Sequence, residues 1–282
     1  MKITQFADAT AFLNHTRLFL EEREAEYNLM LGIADRISQN RSEQNLFFAV
    51  VESGQGEITM AALMTPPWQV VVTRGGEEEL RLLTTTLQQG DWHVPGVHGP
   101  IDEAEQFARI WSTSTGQKIV EGNRLGIYQL GELSLPEFSE GKMRPAMPED
   151  EELFVEWTEG FYRDADTNAP KEERLPRIRA FLGEGRLFFW EVDGTLVSMA
   201  GWHPAARSSA RIGYVYTPPE FRRRGYAGLL TGMLSQHLLN SGKKNCFLFT
   251  DLANPTSNSI YQKIGYRQVT ENREYRFVEG DA

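Results

Sequence analysis

The chain has 282 residues, 40% of them hydrophobic, and its 29 Lys and Arg against 39 Asp and Glu give a formal net charge of −10. This length holds one large domain or, as the better expectation, two small ones with buried cores, and the acidic balance argues against nucleic-acid binding. The lone cysteine, Cys246, lies in the apolar run Cys246-Phe-Leu-Phe249, which excludes an intramolecular disulfide and suits a core thiol in a reducing cytoplasm. No run of about 18 apolar residues is present and residues 1–20 lack a signal-peptide core, so a cytoplasmic protein with no membrane association is expected. Without tight Cys/His spacing, no metal site is expected.

In chain order, residues 6–37 read as one helix, with Phe12, Leu13, Phe19, Leu20, Leu29 and Ile33 at helical spacings and a solvated face of acidic residues. Residues 46–51 and 58–64 read as paired strands around Ser53-Gly-Gln-Gly56. Strands are expected over 68–73, 93–99 and 118–130, and helices over 80–89 and 101–111. Pro136, Gly141, Pro145 and Pro148 break the rhythm over 133–148, which sets a first domain at 1–132, a linker at 133–143 and a second domain at 144–282. Helices over 149–161 and 171–182 follow, then a hairpin of 186–192 with 195–202 across Asp193-Gly194, a strong turn signal.

The halves repeat faintly. Leu46-Phe-Phe48 precedes Met60-Ala-Ala62 much as Leu187-Phe-Phe189 precedes Met199-Ala-Gly201, and Asn123-Arg124 before Tyr128 echoes Asn272-Arg273 before Tyr275. Offsets of roughly half the chain point to two copies of one α/β unit. In the first copy, Arg74-Gly-Gly-Glu-Glu-Glu79 precedes a helix; three carboxylates there suit the helix dipole and repel a pyrophosphate. The first half is therefore expected to lack a working phosphate loop and to serve as structure or as a wall of the substrate cleft.

Residues 211–228 carry the strongest chemical signal. A strand-like run, Ile212, Tyr214 and Tyr216 alternating with Gly213 and Val215, is stopped by Pro218-Pro219, which cannot donate to a sheet ladder. Phe221-Arg-Arg-Arg-Gly-Tyr-Ala-Gly228 follows, then a helical pattern at Leu229, Leu230, Met233, Leu234 and Leu238. Strand, basic glycine loop and helix make an anion site: backbone N–H groups and the positive helix end face a phosphate, and arginine adds forked donors.

Arg222-x-x-Gly225-x-Ala227 in this setting resembles the acyl-CoA pyrophosphate loop of the GNAT superfamily of N-acetyltransferases. Downstream, a strand over 245–250 leads to Asn254-Pro-Thr-Ser-Asn-Ser-Ile-Tyr261-Gln-Lys-Ile-Gly265-Tyr266. That segment is similar to the family's Asn-x-x-Ala-x-x-Leu-Tyr-x-Lys-x-Gly-Phe helix, with Ser257, Ile260 and Tyr266 replacing Ala, Leu and Phe. The resemblance covers about residues 144–277. It implies an α/β (α+β) fold of tandem GNAT-like domains, the first degenerate, each a mixed, mostly antiparallel sheet flanked by helices, with splayed strands forming an acyl-CoA cleft. It implies acetyl-CoA as cosubstrate, with the backbone of Val215, Tyr216 and Thr217 along the pantetheine arm. Arg222, Arg223, Arg224, Gly225, Tyr226, Ala227 and Gly228 would surround the pyrophosphate. Asn254 and Ser257 would lie against the cofactor, although a plain helix cap also places an Asn there. Tyr261 would contact the cofactor and act as general acid toward its sulfur; a packing tyrosine is the other reading.

The implied function is acetyl-CoA-dependent N-acetylation of a primary amine on a small molecule or peptide, by direct transfer; the alternative is a non-catalytic acyl-CoA-binding or regulatory module. The oxyanion donor would be a backbone N–H near Val215 or Tyr216. Glu220, Asp251, Glu191 and His203 are candidate bases, and a water path would serve as well. Trp157, Phe161, Tyr162, Arg163, Asp164 and Asp166 cluster where the acceptor should bind; Trp157 and Phe161 also fit the core, and the two aspartates would draw a cationic amine. A homodimer is compatible with this reading. ATP or NAD is disfavoured, because the loop lacks both the Gly-Lys-Ser/Thr of a P-loop and a three-glycine fingerprint.

Overall fold

The computed structural model describes residues 1–39, 45–135, 140–165 and 171–280; Pro136 and Asp166 lie outside them. β1 (Lys2–Gln5) leads to α1 (Ala9–Glu21), α2 (Glu24–Gln39), β2 (Phe47–Glu52), β3 (Ile58–Met64), β4 (Val70–Val72), α3 (Glu77–Gln89), β5 (Gly96–Pro100), α4 (Ile101–Thr115) and β6 (Lys118–Leu130). There follow β7 (Lys142–Pro145), α5 (Glu151–Asp164), α6 (Lys171–Gly183), β8 (Leu187–Val192), β9 (Thr195–Ala206), β10 (Ser209–Tyr216), α7 (Tyr226–Asn240), β11 (Asn245–Asp251), α8 (Pro255–Lys263) and β12 (Tyr266–Val278). No helix among the described residues is long and apolar enough to cross a membrane.

The single helix expected over 6–37 is two. Asp8 caps α1 by accepting from the Ala11 N–H at 2.8 Å, and the chain turns at Glu22-Arg23 so that α2 packs back, with Arg17 and Asp35 2.6 Å apart and Phe19 stacked on Tyr27. Both helices are amphipathic and no Gly or Pro marks the turn, so the periodicity runs straight through it. β1 and β7 are additions. Each is a four-residue edge strand, antiparallel to β2 or β8, and too polar to show an apolar pattern. The Asp193-Gly194 hairpin forms as expected: Val192 faces Thr195, and both turn residues have positive φ, 47° and 78°, as a two-residue primed turn requires.

The chain divides into two compact units, residues 1–127 with 269–282, and residues 128–268. The sequence reading placed 269–282 with the second half; instead Tyr275 and Phe277 enter the first unit's core, where Phe277 stacks on Trp111 at 5.9 Å. In the first unit the strand order is β1-β2-β3-β4-β5, then the end of β12 and the start of β6, with β4 and β5 parallel. Leu80, Leu83 and Leu87 of α3 and Phe107 and Trp111 of α4 cover this sheet with Val51, Met60 and Val97 beneath. In the second unit the start of β12 and the end of β6 are followed by β11-β10-β9-β8-β7. Its core joins Leu230, Leu234 and Leu238 of α7 to Trp190, Ile212 and Leu248 of the sheet. Both units are thus mixed, mostly antiparallel sheets flanked by helices.

An ionic cluster fixes the β7 edge. Arg144 lies 2.8 Å from Asp150 and 3.0 Å from Glu191, which also meets Lys142 at 3.2 Å. Hydrogen bonds from Arg144 hold the Asp150 carboxyl below its ordinary range, and Lys142, followed by Arg144, does the same for Glu191. Carboxyls depressed on folding contribute stability above their unfolded values, near pH ~4, and that contribution is lost as pH falls through the folded values. Thermal unfolding followed from pH 7 to pH 3 should show the midpoint dropping below about pH 4. In Arg144→Met the midpoint should start lower at pH 7 and drop less on acidification.

Candidate functional site

β10 and β11 run parallel but share a ladder only from Ser209↔Asn245 to Ile212↔Leu248, although β10 continues to Tyr216 and β11 to Asp251. On its other side β10 stays with β9 through a bulge: Gly213 faces Gly201 and Tyr216 faces Met199, so three steps on β10 match two on β9. Tyr214 within the bulge has φ 51°, a left-handed conformation rare for a bulky residue. Aromatic packing holds it there. Phe181 lies 4.9 Å from its ring, His203 5.9 Å and Phe154 6.0 Å, and the Tyr162 and Tyr214 hydroxyls are 3.1 Å apart. Past the bulge, the buried Ser198 hydroxyl donates to the Tyr216 carbonyl at 3.1 Å and lies 2.9 Å from Thr217 Oγ1. Tyr216 thus turns its carbonyl to β9, and strand alternation turns the peptide groups of Val215 to the edge that β11 has left.

The loop after β10 begins with a 3-10 turn, Pro219–Phe221, and reaches α7 through Arg223 at φ 62° and Gly225 at φ 83°. Gly225 is the N-cap and supplies no side-chain hydrogen bond, so the first-turn N–H groups of Tyr226, Ala227 and Gly228 have neither an intrahelical acceptor nor a cap. Arg222, Arg223, Arg224 and Gly225 are exposed. The Arg222 guanidinium donates to the Thr217 carbonyl at 2.9 Å and to Asp164 at 2.5 Å. Asp164, expected as an acceptor-binding carboxylate, is therefore paired with the basic loop. Arg224 reaches back to the Glu220 carbonyl at 3.5 Å.

α8 forms the facing wall. Asn254 caps it, accepting from the Ser257 N–H at 3.0 Å. A Cβ on Gly228 would sit 3.4 Å from Ile260, so α7 and α8 meet closely there. Tyr261 is 7% exposed, shares the buried cluster of Ile212 and Leu248, and lies 6.4 Å from Tyr266. Its hydroxyl has no hydrogen-bond partner among the described residues, and burial raises the phenol well above its ordinary value. Gly265, at φ 103°, ends this element; a Cβ would fall 2.0 Å from the Glu132 carbonyl, so only glycine fits.

The candidate bases separate by their partners. Glu191 is bound by Lys142 and Arg144 in the β7 edge cluster, which makes it a poor proton acceptor. Asp251 Oδ1 accepts from the Ala253 N–H at 2.9 Å and ends its strand. His203 packs edge-on to Phe181 at 4.8 Å, and Glu220 lies exposed in the 3-10 turn. Trp157 is core, edge-on to Phe189 at 5.6 Å, while the half-buried Phe161 lies 5.4 Å from Tyr214. Sequence reasoning missed Ser198, the bulge and Gly160. A Cβ on Gly160 would fall 2.3 Å from the Tyr216 hydroxyl, and a glycine inside a helical pattern was the available signal for that contact.

The first unit shows the corresponding places closed. A Cβ on Gly99 of β5 would sit 3.1 Å from the Val72 carbonyl of β4, so the two strands remain in contact there. At the N-cap of α3, Glu79 Oε2 lies 2.9 Å from the position of a Gly76 Cβ, so a first-turn carboxylate reaches back beside the N-cap.

A family model described as FR47-like protein matches residues 192–277. The whole chain is similar in fold to a solved Drosophila protein at 14% identity, with 99% of each chain covered and a TM-score of 0.69. It is likewise similar to a GNAT-family acetyltransferase from Colwellia psychrerythraea (13% identity, 99% and 100% covered, TM-score 0.60) and to a GCN5-related N-acetyltransferase from Kribbella flavida (16%, 92% and 95%, 0.61). No curated protein matches the sequence. The matched segment, residues 192–277, contains the β10–β11 pair, the basic loop and α8, and the fold of the chain is similar to that of GNAT-family acetyltransferases.

Proposed function

We propose that the second unit is an acetyl-CoA-dependent N-acetyltransferase acting on a primary amine of a small molecule or peptide, with the first unit a degenerate copy that binds no acyl-CoA. One observation carries this reading: the β10–β11 ladder stops at Ile212 and Leu248 beside a helix whose N-terminal donors are uncapped. An open strand edge suits the amides of a pantetheine arm, and an uncapped, arginine-flanked helix start suits a pyrophosphate. In the first unit, by contrast, Gly99 lies against β4 and the carboxylate of Glu79 lies beside the helix start.

Acetyl-CoA supplies an activated acetyl thioester. The backbone of Val215 lines the open edge, where its N–H would stabilise negative charge developing on the acyl oxygen. Thr217 follows it along the arm, Arg222, Arg223 and Arg224 supply cationic donors, and Gly225, Tyr226, Ala227 and Gly228 supply a close-approaching backbone. Asn254 holds the start of α8 with one side-chain atom and keeps its amide N–H donors for the cofactor, beside Ser257. Tyr261, a buried phenol with its hydroxyl uncommitted, would donate the proton that a departing thiolate needs. The proton lost by the amine leaves through water, since Glu191 and Asp251 are engaged elsewhere.

A thiol-release assay of the full chain with acetyl-CoA and a broad amine panel should show amine-dependent release of free CoA; tight acetyl-CoA binding without release from any amine would make the protein a binding module. Tyr261→Phe should lower kcat about 100-fold with KM for acetyl-CoA nearly unchanged, and full turnover in that variant would remove the acid role. Gly225→Val, which forces a side chain into the left-handed region, should raise KM for acetyl-CoA about tenfold and leave KM for the amine alone, as read by steady-state kinetics with each substrate varied in turn.

A further inference from the structure

Ser198 on β9 is fully buried at the place where β10 parts from β11. The geometry points to Ser198 as a positioning residue that ties the end of β10 to β9 and thereby keeps the β10–β11 cleft open; this rests on reading that cleft as the acyl-CoA site. Two parallel strands that have begun a ladder gain backbone hydrogen bonds by continuing it. β10 runs on past Ile212 to Tyr216 and β11 past Leu248 to Asp251, so both have residues left with which to pair. Something must hold β10 on its other side.

The β9 ladder, interrupted between Gly213 and Tyr216, resumes only at the single pair Tyr216↔Met199, so backbone pairing alone holds the end of β10 at one residue. Ser198 supplies the first side-chain anchor beyond the interruption. Its hydroxyl has one donor and two acceptor positions, which satisfies both contacts at once: it donates to the Tyr216 carbonyl at 3.1 Å and accepts from the Thr217 hydroxyl at 2.9 Å. Arg222 then takes the Thr217 carbonyl at 2.9 Å, so the same anchored residue begins the basic loop. Without the hydroxyl, Thr217 loses its bond and Tyr216 keeps only its pairing with Met199, which shifts the balance toward a form in which the end of β10 pairs with β11. That closed form has no edge for a pantetheine arm, and apparent cofactor affinity falls with the fraction of open form.

The test is calorimetric titration of acetyl-CoA into the wild-type chain, Ser198→Ala, Ser198→Thr and Thr217→Val, with far-UV circular dichroism as the folding control and steady-state kinetics alongside. The expected result is a Kd about tenfold weaker in Ser198→Ala, a matching rise in KM for acetyl-CoA, and kcat at saturation close to wild type. Ser198→Thr, which keeps the hydroxyl, should recover most of the affinity. Thr217→Val should weaken binding about threefold alone and add little to Ser198→Ala, because the two share one bond. Wild-type affinity in a folded Ser198→Ala overturns the inference. If that variant does not fold, unchanged affinity in Thr217→Val overturns it instead. A wild-type chain that binds no acetyl-CoA removes the acyl-CoA reading and this inference together, whereas binding by the wild type with no effect of Ser198→Ala removes this one alone.

Discussion

The second unit is organised by the end of one short ladder. Four residue pairs join β10 to β11, and the strands then separate while β10 remains in its sheet. Buried backbone donors and acceptors need partners, so a parting of this kind persists only if something else competes for the freed strand. Here the competitors are local. Tyr214 takes a left-handed backbone and is held by Phe154, Phe181, His203 and Tyr162; Ser198 draws Tyr216 to β9; and Pro218-Pro219 ends the strand before it can pair again. Gly160 lets α5 approach Tyr216 closely enough to complete the enclosure. The unpaired edge of Val215 is what remains, and it is the part of the sheet with hydrogen-bonding capacity to spend on a ligand.

The first unit shows what happens when these devices are missing. It has the same strand order through the parallel pair and the same helix after β4. Yet β4 is three residues long, Val72 carries no bulge, and Gly99 removes the side chain that would hold β5 away. The start of α3 is acidic, and Glu79 places its carboxylate beside Gly76. A carboxylate at that position stabilises a helix by about 0.3–1 kcal/mol, the same field that an uncapped α7 leaves available. One architecture thus sets three carboxylates in the first turn of α3 in the first unit and none in the first turn of α7 in the second.

Most of the framework was legible, because long amphipathic helices and β-branched or aromatic strands announce their period. The Asp193-Gly194 turn fixed its hairpin, and the glycine and arginine spacing before Tyr226 marked the loop. The rest was hidden for identifiable reasons. The turn at Glu22-Arg23 has no breaker residue, and β1 and β7 are short polar edges. Residues 269–282 join the first unit through Tyr275 and Phe277, and an apolar strand does not state which sheet it completes. Glu191 looked like a base because sequence position puts it near the cleft, whereas its cross-strand partners Lys142 and Arg144 lie about fifty residues away in the chain. Ser198 carried no signal, since a serine within Thr-Leu-Val-Ser-Met-Ala acquires its role only from the register of β9 against a bulged neighbour.

Arg222 shows why loop and cleft are best treated as one object. Five N–H groups project from a guanidinium; here Nε is committed to the Thr217 carbonyl and one terminal nitrogen to Asp164 at the end of α5. An exposed ion pair of this kind contributes at most about 1 kcal/mol, too little to withhold the arginine from a doubly charged pyrophosphate. Its effect is geometric: the fork is oriented before any anion arrives, and donors on its other terminal nitrogen remain free. Through Thr217 the orientation depends on the end of β10, which Ser198 fixes, and through Asp164 it reaches the segment where the acceptor is expected. Basic loop, strand edge and the end of α5 are therefore joined by consecutive hydrogen bonds within a single unit, so an anion that drew Arg222 away from Asp164 would change the charge at the end of α5.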